Sequence, residues 1–245
     1  MNPALYHAHH SRYTEDLPFW LALASEHQRR ILELGCGTGR VLQPLLKVGN
    51  EVVGLDNDKQ MLDYLRDSLP DELSERTKLV EADIIDFQLD QQFGLVLLPC
   101  NTFSILDAEE RMSALGNIRK HLQDGGVFAL SLPNPHALAS LPEEGEEDIE
   151  DTFSLADDLE TSVQVSSAWQ REEKTVTLFW HYDVMQPDGN VKRHSASVHQ
   201  HIVEVEMLEA EFEQAGFDVQ ARYGDFERSA FDEDSPNLIY VLSNA

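Results

Sequence analysis

Between positions 30 and 132, short apolar runs alternate with stretches whose apolar residues recur every three or four places. The runs at 31–34, 51–55, 78–82, 93–98 and 126–132 end in turn residues and are apolar almost throughout. That pattern predicts strands buried on both faces, as in a parallel sheet. Segments 40–47, 59–69 and 108–122 carry helical spacing and can lay one face on such a sheet. Strand and helix in alternation predict a doubly wound α/β fold. Gly125 and Gly126 are expected to stop the third helix, because glycine readily takes the left-handed conformation there.

The rhythm changes after Pro133-Asn134-Pro135. Ten of the eighteen residues at 143–160 are acidic, which predicts a solvated loop. Runs 175–185 and 191–203, rich in β-branched and aromatic residues, flank Pro187-Asp188-Gly189 and predict an antiparallel hairpin. Helical spacing returns at 205–215 before Gly216, and strands are expected at 217–221 and 238–242. The division expected is one domain over 1–245: a core of about 30–135 and 205–245, a helical N-terminal lid over about 1–29, and a β insertion over about 136–204.

The most informative segment is Glu33-Leu34-Gly35-Cys36-Gly37-Thr38-Gly39-Arg40, which joins the first strand to the first of these helices. Glycine serves a turn that needs unusual backbone angles, and lets a ligand approach the main chain more closely than a Cβ allows. Amides at a helix start favour a negative group. A dinucleotide loop would read Gly-x-Gly-x-x-Gly, whereas Arg40 holds the last of those places and the third glycine comes one residue early. The second strand runs into Asp56-Asn57, and a carboxylate there is a strong acceptor for both hydroxyls of a ribose.

These residues resemble the first motif of class I S-adenosylmethionine (SAM)-dependent methyltransferases, an acidic residue followed by Gly-x-Gly-x-Gly. The resemblance implies a Rossmann-like, seven-stranded sheet, mostly parallel with an antiparallel last strand, and SAM as cofactor. It implies that Glu33, Gly35, Cys36, Gly37, Gly39, Asp56, Asn57, Asp83, Ile84, Pro99 and Tyr13 bind the cofactor. Asp86 competes with Asp83 for the adenine amino group, and residues 99–103 would border the transferred methyl. The insertion is similar to that of small-molecule, sugar and glycine N-methyltransferases. The reaction expected is methyl transfer to nitrogen or oxygen of a small-molecule acceptor; a non-catalytic SAM-binding protein and an NAD-dependent oxidoreductase are the alternatives.

Composition narrows the partners. A formal net charge of −27 opposes nucleic acid and anionic membranes, and the cationic pairs Arg29-Arg30 and Lys192-Arg193 are too short to offset it. The opening residues lack a charged and apolar leader pattern, and no long apolar run occurs, so a cytoplasmic protein is expected. Two cysteines, Cys36 and Cys100, predict neither a disulfide framework nor a metal site. The hairpin edge leaves monomer and homodimer open. If the acceptor is a neutral amine or a hydroxyl, a base must remove a proton, and histidine suits that work near neutrality. His199 and His201 share a strand face and, with Tyr182 and Asn101, are the candidates.

Overall fold

The computed structural model describes residues 2–27, 30–155 and 158–244. Arg29, half of one cationic pair, and residues 156–157 of the acidic run lie outside them. In chain order the elements are α1 (Pro3–His10), α2 (Leu17–His27), β1 (Ile31–Leu34), α3 (Leu42–Lys47), β2 (Val52–Asp56), α4 (Lys59–Ser68), α5 (Asp71–Ser74), β3 (Thr77–Glu81) and β4 (Phe93–Leu98). A one-turn helix (Thr102–Ile105) then precedes α6 (Ala108–His121), β5 (Leu122–Pro133), α7 (Pro135–Ser140) and the strands β6 (Glu144–Leu155), β7 (Asp158–Arg171), β8 (Thr175–Met185) and β9 (Val191–His201). The chain closes with α8 (Val205–Gln214), β10 (Phe217–Tyr223) and β11 (Asn237–Asn244).

Seven strands form one sheet in the order β10-β11-β5-β4-β1-β2-β3, and only β11 runs antiparallel to its neighbours. Alternation of side chains along each strand splits the core in two. Leu32 and Leu34 of β1, Val96 and Leu98 of β4, and Leu238, Tyr240 and Leu242 of β11 pack on one side with α6 and α8. Ile31, Leu95, Leu97, Ile239 and Val241 pack on the other with α2, α3 and α4. Both faces are covered, as the apolar strands required.

Two sequence expectations are corrected. The helix α6 stops at His121 without glycine, and Gly125 (φ +66°) lies inside β5, where the register against β4 shifts between Phe93 and Leu95. The glycine accommodates a bulge, not a helix end. The acidic run is not a loop either: it supplies β6 and the start of β7, so the insertion is a four-stranded antiparallel sheet, β6-β7-β8-β9, instead of a single hairpin. Three register shifts along β6 and β7 erase the strict alternation that identifies a strand. The inward Phe153 packs on Val163, Val165 and Tyr182, while Glu147 meets Arg193 and Asp151 meets Arg12. The hairpin itself forms as expected, with Gly189 at φ +86° in its turn.

Candidate functional site

A cleft of about 410 Å³ opens at the carboxyl ends of β1, β2 and β3, which is where open α/β sheets bind ligands. Gly35 and Gly37 form its floor, Asp56 and Asn57 follow β2, and Asp83 and Ile84 follow β3. The floor needs glycine: Gly35 and Gly37 have φ of +65° and +51°, and a Cβ on Gly35 would come within 3.1 Å of Thr102 Cγ2. Asp56 is held from both sides, its Oδ2 accepting the Gly37 N–H at 2.7 Å and its Oδ1 the Asp58 N–H at 2.9 Å. Each oxygen retains a lone pair for a further donor. Burial pushes the Asp56 carboxyl above its usual value, while these amide donors pull the other way. Asp83 faces the cleft and accepts the Ile85 N–H, whereas Asp86 lines a separate hollow beside α6.

Glu33 is 2% exposed at the end of β1, and its Oε2 has no hydrogen-bond partner. Arg40 does not satisfy it. That guanidinium forms a bidentate pair with Asp16 at 2.5 and 2.6 Å and also donates to the Tyr13 carbonyl and to Cys100 Sγ. Asp16 in turn accepts from the Trp20 indole, so the residue that departs from the dinucleotide pattern anchors α2 to the glycine loop. A buried carboxylate oxygen without a donor is costly, and here it marks a place for one.

The other expected residues fall in varied places. Gly39 is beneath the loop against Leu65, and Cys36 is buried against Gly54. Tyr13 packs on Arg40, with the cation 5.3 Å from its ring centre. Cys100 and Asn101 both have left-handed backbones, φ 62° and 60°. The Pro99 and Asn101 carbonyls accept from the hydroxyls of Thr102 and Ser104, which turns the chain so that Thr102 lines the cleft. His199 is exposed and bonded to Thr177, while His201 lines a second hollow with Arg111 and Val203. The two rings share a face, 5.4 Å apart, but neither lines the cofactor cleft.

Tyr6, in the N-terminal stretch expected as a helical lid, lines the cleft from α1. This helix starts with Pro3 after an Asn2 cap whose side chain accepts from Ala4 and Leu5, and it lies over the glycine loop, where His7 Nδ1 is 3.1 Å from Thr38 Oγ1. On its other flank His9 Nδ1 is 3.1 Å from the buried Tyr182 hydroxyl and Nε2 is 3.3 Å from Glu150. Tyr182 therefore couples the insertion to α1. His10 packs at a tilt on Tyr6 with ring centres 4.3 Å apart, and burial, then His9 and Arg40, push its imidazole down to about 3.

Residues 31–126 match the family model described as a methyltransferase domain. That stretch is thus similar to methyltransferase domains. Among its relatives, the cypemycin N-terminal methyltransferase of a Streptomyces species is 33% identical over 47% of this chain and 48% of its own. The dTDP-3-amino-3,4,6-trideoxy-alpha-D-glucopyranose N,N-dimethyltransferase of Streptomyces venezuelae is 28% identical over 69% of this chain and 66% of its own. The matches thus span about half and just under two thirds of those curated relatives. A crystal structure of a SAM-dependent methyltransferase from Clostridium acetobutylicum ATCC 824 superposes with a TM-score of 0.81 at 16% identity, covering 98% of this chain and 96% of that one, which is a likeness of fold. The cleft suits a nucleoside ligand such as SAM on its own geometry: a glycine floor with the carboxylates of Asp56 and Asp83 in its lining.

Proposed function

We propose that the protein transfers a methyl group from SAM to nitrogen or oxygen of a small-molecule acceptor. The observation that carries the reading is the convergence of Gly37, Asp56 and Asp83 on one cleft over which Tyr6 is laid. Bound SAM supplies a methyl on a positively charged sulfur, so the chain has to align a nucleophile and exclude water. Asp56 takes the ribose, Asp83 and the Ile84 amide take the adenine, and Glu33 with the Gly35–Gly37 floor takes the amino-acid end. Tyr6 closes the cleft on the side where Cys100 and Asn101 follow β4.

Nitrogen is the acceptor atom that the observations favour. The strongly negative chain attracts amines, and the relative from Streptomyces venezuelae is named for an amino sugar. The acceptor proton goes to a neutral base. His10, pushed down to about 3 by burial, holds a proton too weakly near neutral pH to be that base. The same charge opposes a nucleic-acid substrate, and no helix among the described residues is long and apolar enough to cross a membrane. A cytoplasmic location and a monomer or homodimer complete the proposal.

The test is S-adenosylhomocysteine (SAH) formation from SAM with a panel of amino sugars, amino acids and free-amine peptides, beside their hydroxyl analogues. Turnover with an amine supports the reading. Tight SAM binding without turnover on any acceptor would point to a non-catalytic SAM-binding protein, and stabilisation by NAD alone would end the methyltransferase reading.

A further inference from the structure

A row of aromatic side chains leads from the cofactor cleft onto the insertion. Tyr6 lines the cleft, His10 packs on Tyr6 with ring centres 4.3 Å apart, and Trp180 of β8 meets His10 nearly at right angles at 6.0 Å. All three are half-buried, and neither the Tyr6 hydroxyl, the His10 ring nitrogens nor the Trp180 indole N–H has a hydrogen-bond partner among the described residues. Polar groups taken out of water normally find partners, so three in one row mark a place for a ligand. Beside the indole the sheet is open, because the ladder sets Ser167 of β7 and Ala196 of β9 directly opposite Trp180, and both are small. The next pair on this face is Leu178 with Val198, so the floor beside the indole is apolar. β8 rests on α1 through Tyr182 with His9 and Trp180 with His10, while β9 ends at His201 beside Phe103 of the turn after β4. Cys100, close enough to act on the Tyr6 hydroxyl, and Asn101 lead into that turn. A slot over Ala196 therefore lies between α1 and the turn, above the end of β4.

We propose that this slot holds the methyl acceptor, that Trp180 selects it, and that the acceptor is an amine joined to an aromatic ring by a short arm, not a polyhydroxylated sugar. The inference rests on the reading of the protein as a SAM-dependent methyltransferase acting on nitrogen. The ring lies on the indole over Ala196, and the amine reaches back along the row to the free hydroxyl of Tyr6 and the free nitrogens of His10. Steps of 4.3 and 6.0 Å between ring centres give the row room for a ring and a two-carbon arm. Tyr6 is the end of the row at the cofactor cleft, so this arrangement presents the nitrogen, and not the ring, to the methyl. Attack by the neutral amine forms the N–C bond, breaks the methyl–sulfur bond of SAM and leaves SAH; the extra proton then on nitrogen passes to water. A sugar in the same slot would give up water from hydroxyls that Leu178, Ala196 and Val198 cannot bond, which opposes its binding.

SAH formation from SAM by the full chain, with 2-phenylethylamine, n-hexylamine and D-glucosamine as acceptors, tests the slot. The expected order of kcat/KM places 2-phenylethylamine first. Trp180→Ala should lower its kcat/KM about 3- to 10-fold, mainly through KM, which is the worth of one aromatic pair, and leave n-hexylamine nearly unchanged. Trp180→Phe should restore most of the loss. Ala196→Phe, which fills the slot from its floor, should lower kcat/KM for 2-phenylethylamine by about tenfold or more while SAH binds as before in titration calorimetry. Thermal melts check the fold of each variant. A higher kcat/KM for D-glucosamine overturns the inference and leaves the methyltransferase reading standing. So does an equal fall for both apolar amines in Trp180→Ala, the mark of a merely structural tryptophan, or unchanged turnover in Ala196→Phe. Failure of SAH to bind, or no turnover of any amine, overturns the reading on which the inference rests and the inference with it.

Discussion

Asp56 and Gly37 are joined across the cleft floor by a hydrogen bond of 2.7 Å from the Gly37 amide to Oδ2. The sequence places these residues on successive βα turns, and the parallel register Leu34↔Leu55 brings the turns side by side. The carboxylate proposed to take the ribose therefore also holds the glycine loop in shape before any ligand arrives. Asp56→Ala removes both services. The expected loss of SAH affinity is about 10- to 150-fold, or about 1.5–3 kcal/mol, measured by titration calorimetry. Unchanged affinity would refute the assigned role.

Asp16 and Arg40 make the buried ion pair that secures this loop from the other side, with side chains 2% and 11% exposed. Removing one partner of such a pair leaves a desolvated charge. Asp16→Ala, which also strips the Trp20 indole of its acceptor, is expected to cost about 3–5 kcal/mol in denaturant unfolding. A loss below about 1 kcal/mol would show that Arg40 finds another partner or water.

Two glycine-to-alanine changes should have opposite signs. At Gly39, φ is +84° and an added Cβ would collide with Leu65 Cδ1 in the core, so about 1–3 kcal/mol of stability is lost. At Gly116, inside α6, nothing lies within 4 Å of an added Cβ. There the substitution should stabilise by about 0.4–1 kcal/mol, chiefly by restricting the unfolded chain. Thermal melts of the two variants check both directions.

Much of the cleft's lining was legible because it sits at strand ends, where local sequence sets the position. Glu33, Gly35, Gly37, Asp56 and Asp83 lie one turn or less from a strand whose apolar pattern is clear. What the N-terminal helix packs against was not legible. Its Tyr6 lines the cleft, while His9 and His10 meet Tyr182 and Trp180 from a sheet more than 160 positions away. Nothing local marks such a contact. The histidine spacing on β9 correctly put His199 and His201 on one face but could not say which cavity that face meets. The acidic run misled for a related reason: strand pairing with β7 overrode a composition that favours solvated loops, because Glu144, Glu146 and Asp148 are exposed while Phe153 points in.

Glu33 also sets a stability trend in the cofactor-free protein. A carboxyl raised from 4.5 to about 8 on folding binds its proton more tightly in the native state than in the unfolded one. Its contribution is fully present below about pH 4.5 and is lost as pH rises through about 8. The difference in unfolding free energy between the unaltered protein and Glu33→Gln should shift in favour of the variant across that window. Denaturant titrations at pH 5 and pH 8 read the shift, and a constant difference would contradict it.

The last prediction concerns the joint between α1 and the insertion. If His9 donates from Nε2 to Glu150, its Nδ1 accepts the Tyr182 hydroxyl, the one arrangement of a neutral imidazole that satisfies both neighbours. Burial lowers the His9 imidazole, although Glu150 and Asp151 oppose that, so the neutral ring is favoured. His9→Ala leaves the hydroxyl of Tyr182, itself 1% exposed, without its acceptor, at a cost of about 1–3 kcal/mol. Adding Tyr182→Phe removes the stranded hydroxyl and should recover part of that cost, which a simple loss of helix packing would not. Amide exchange localises the effect: protection should fall in residues 3–10 and hold in β4 and β5, whose core contacts are untouched. If the double variant is no more stable than His9→Ala alone, the contact is incidental and α1 is held by Leu5 and Tyr6 instead.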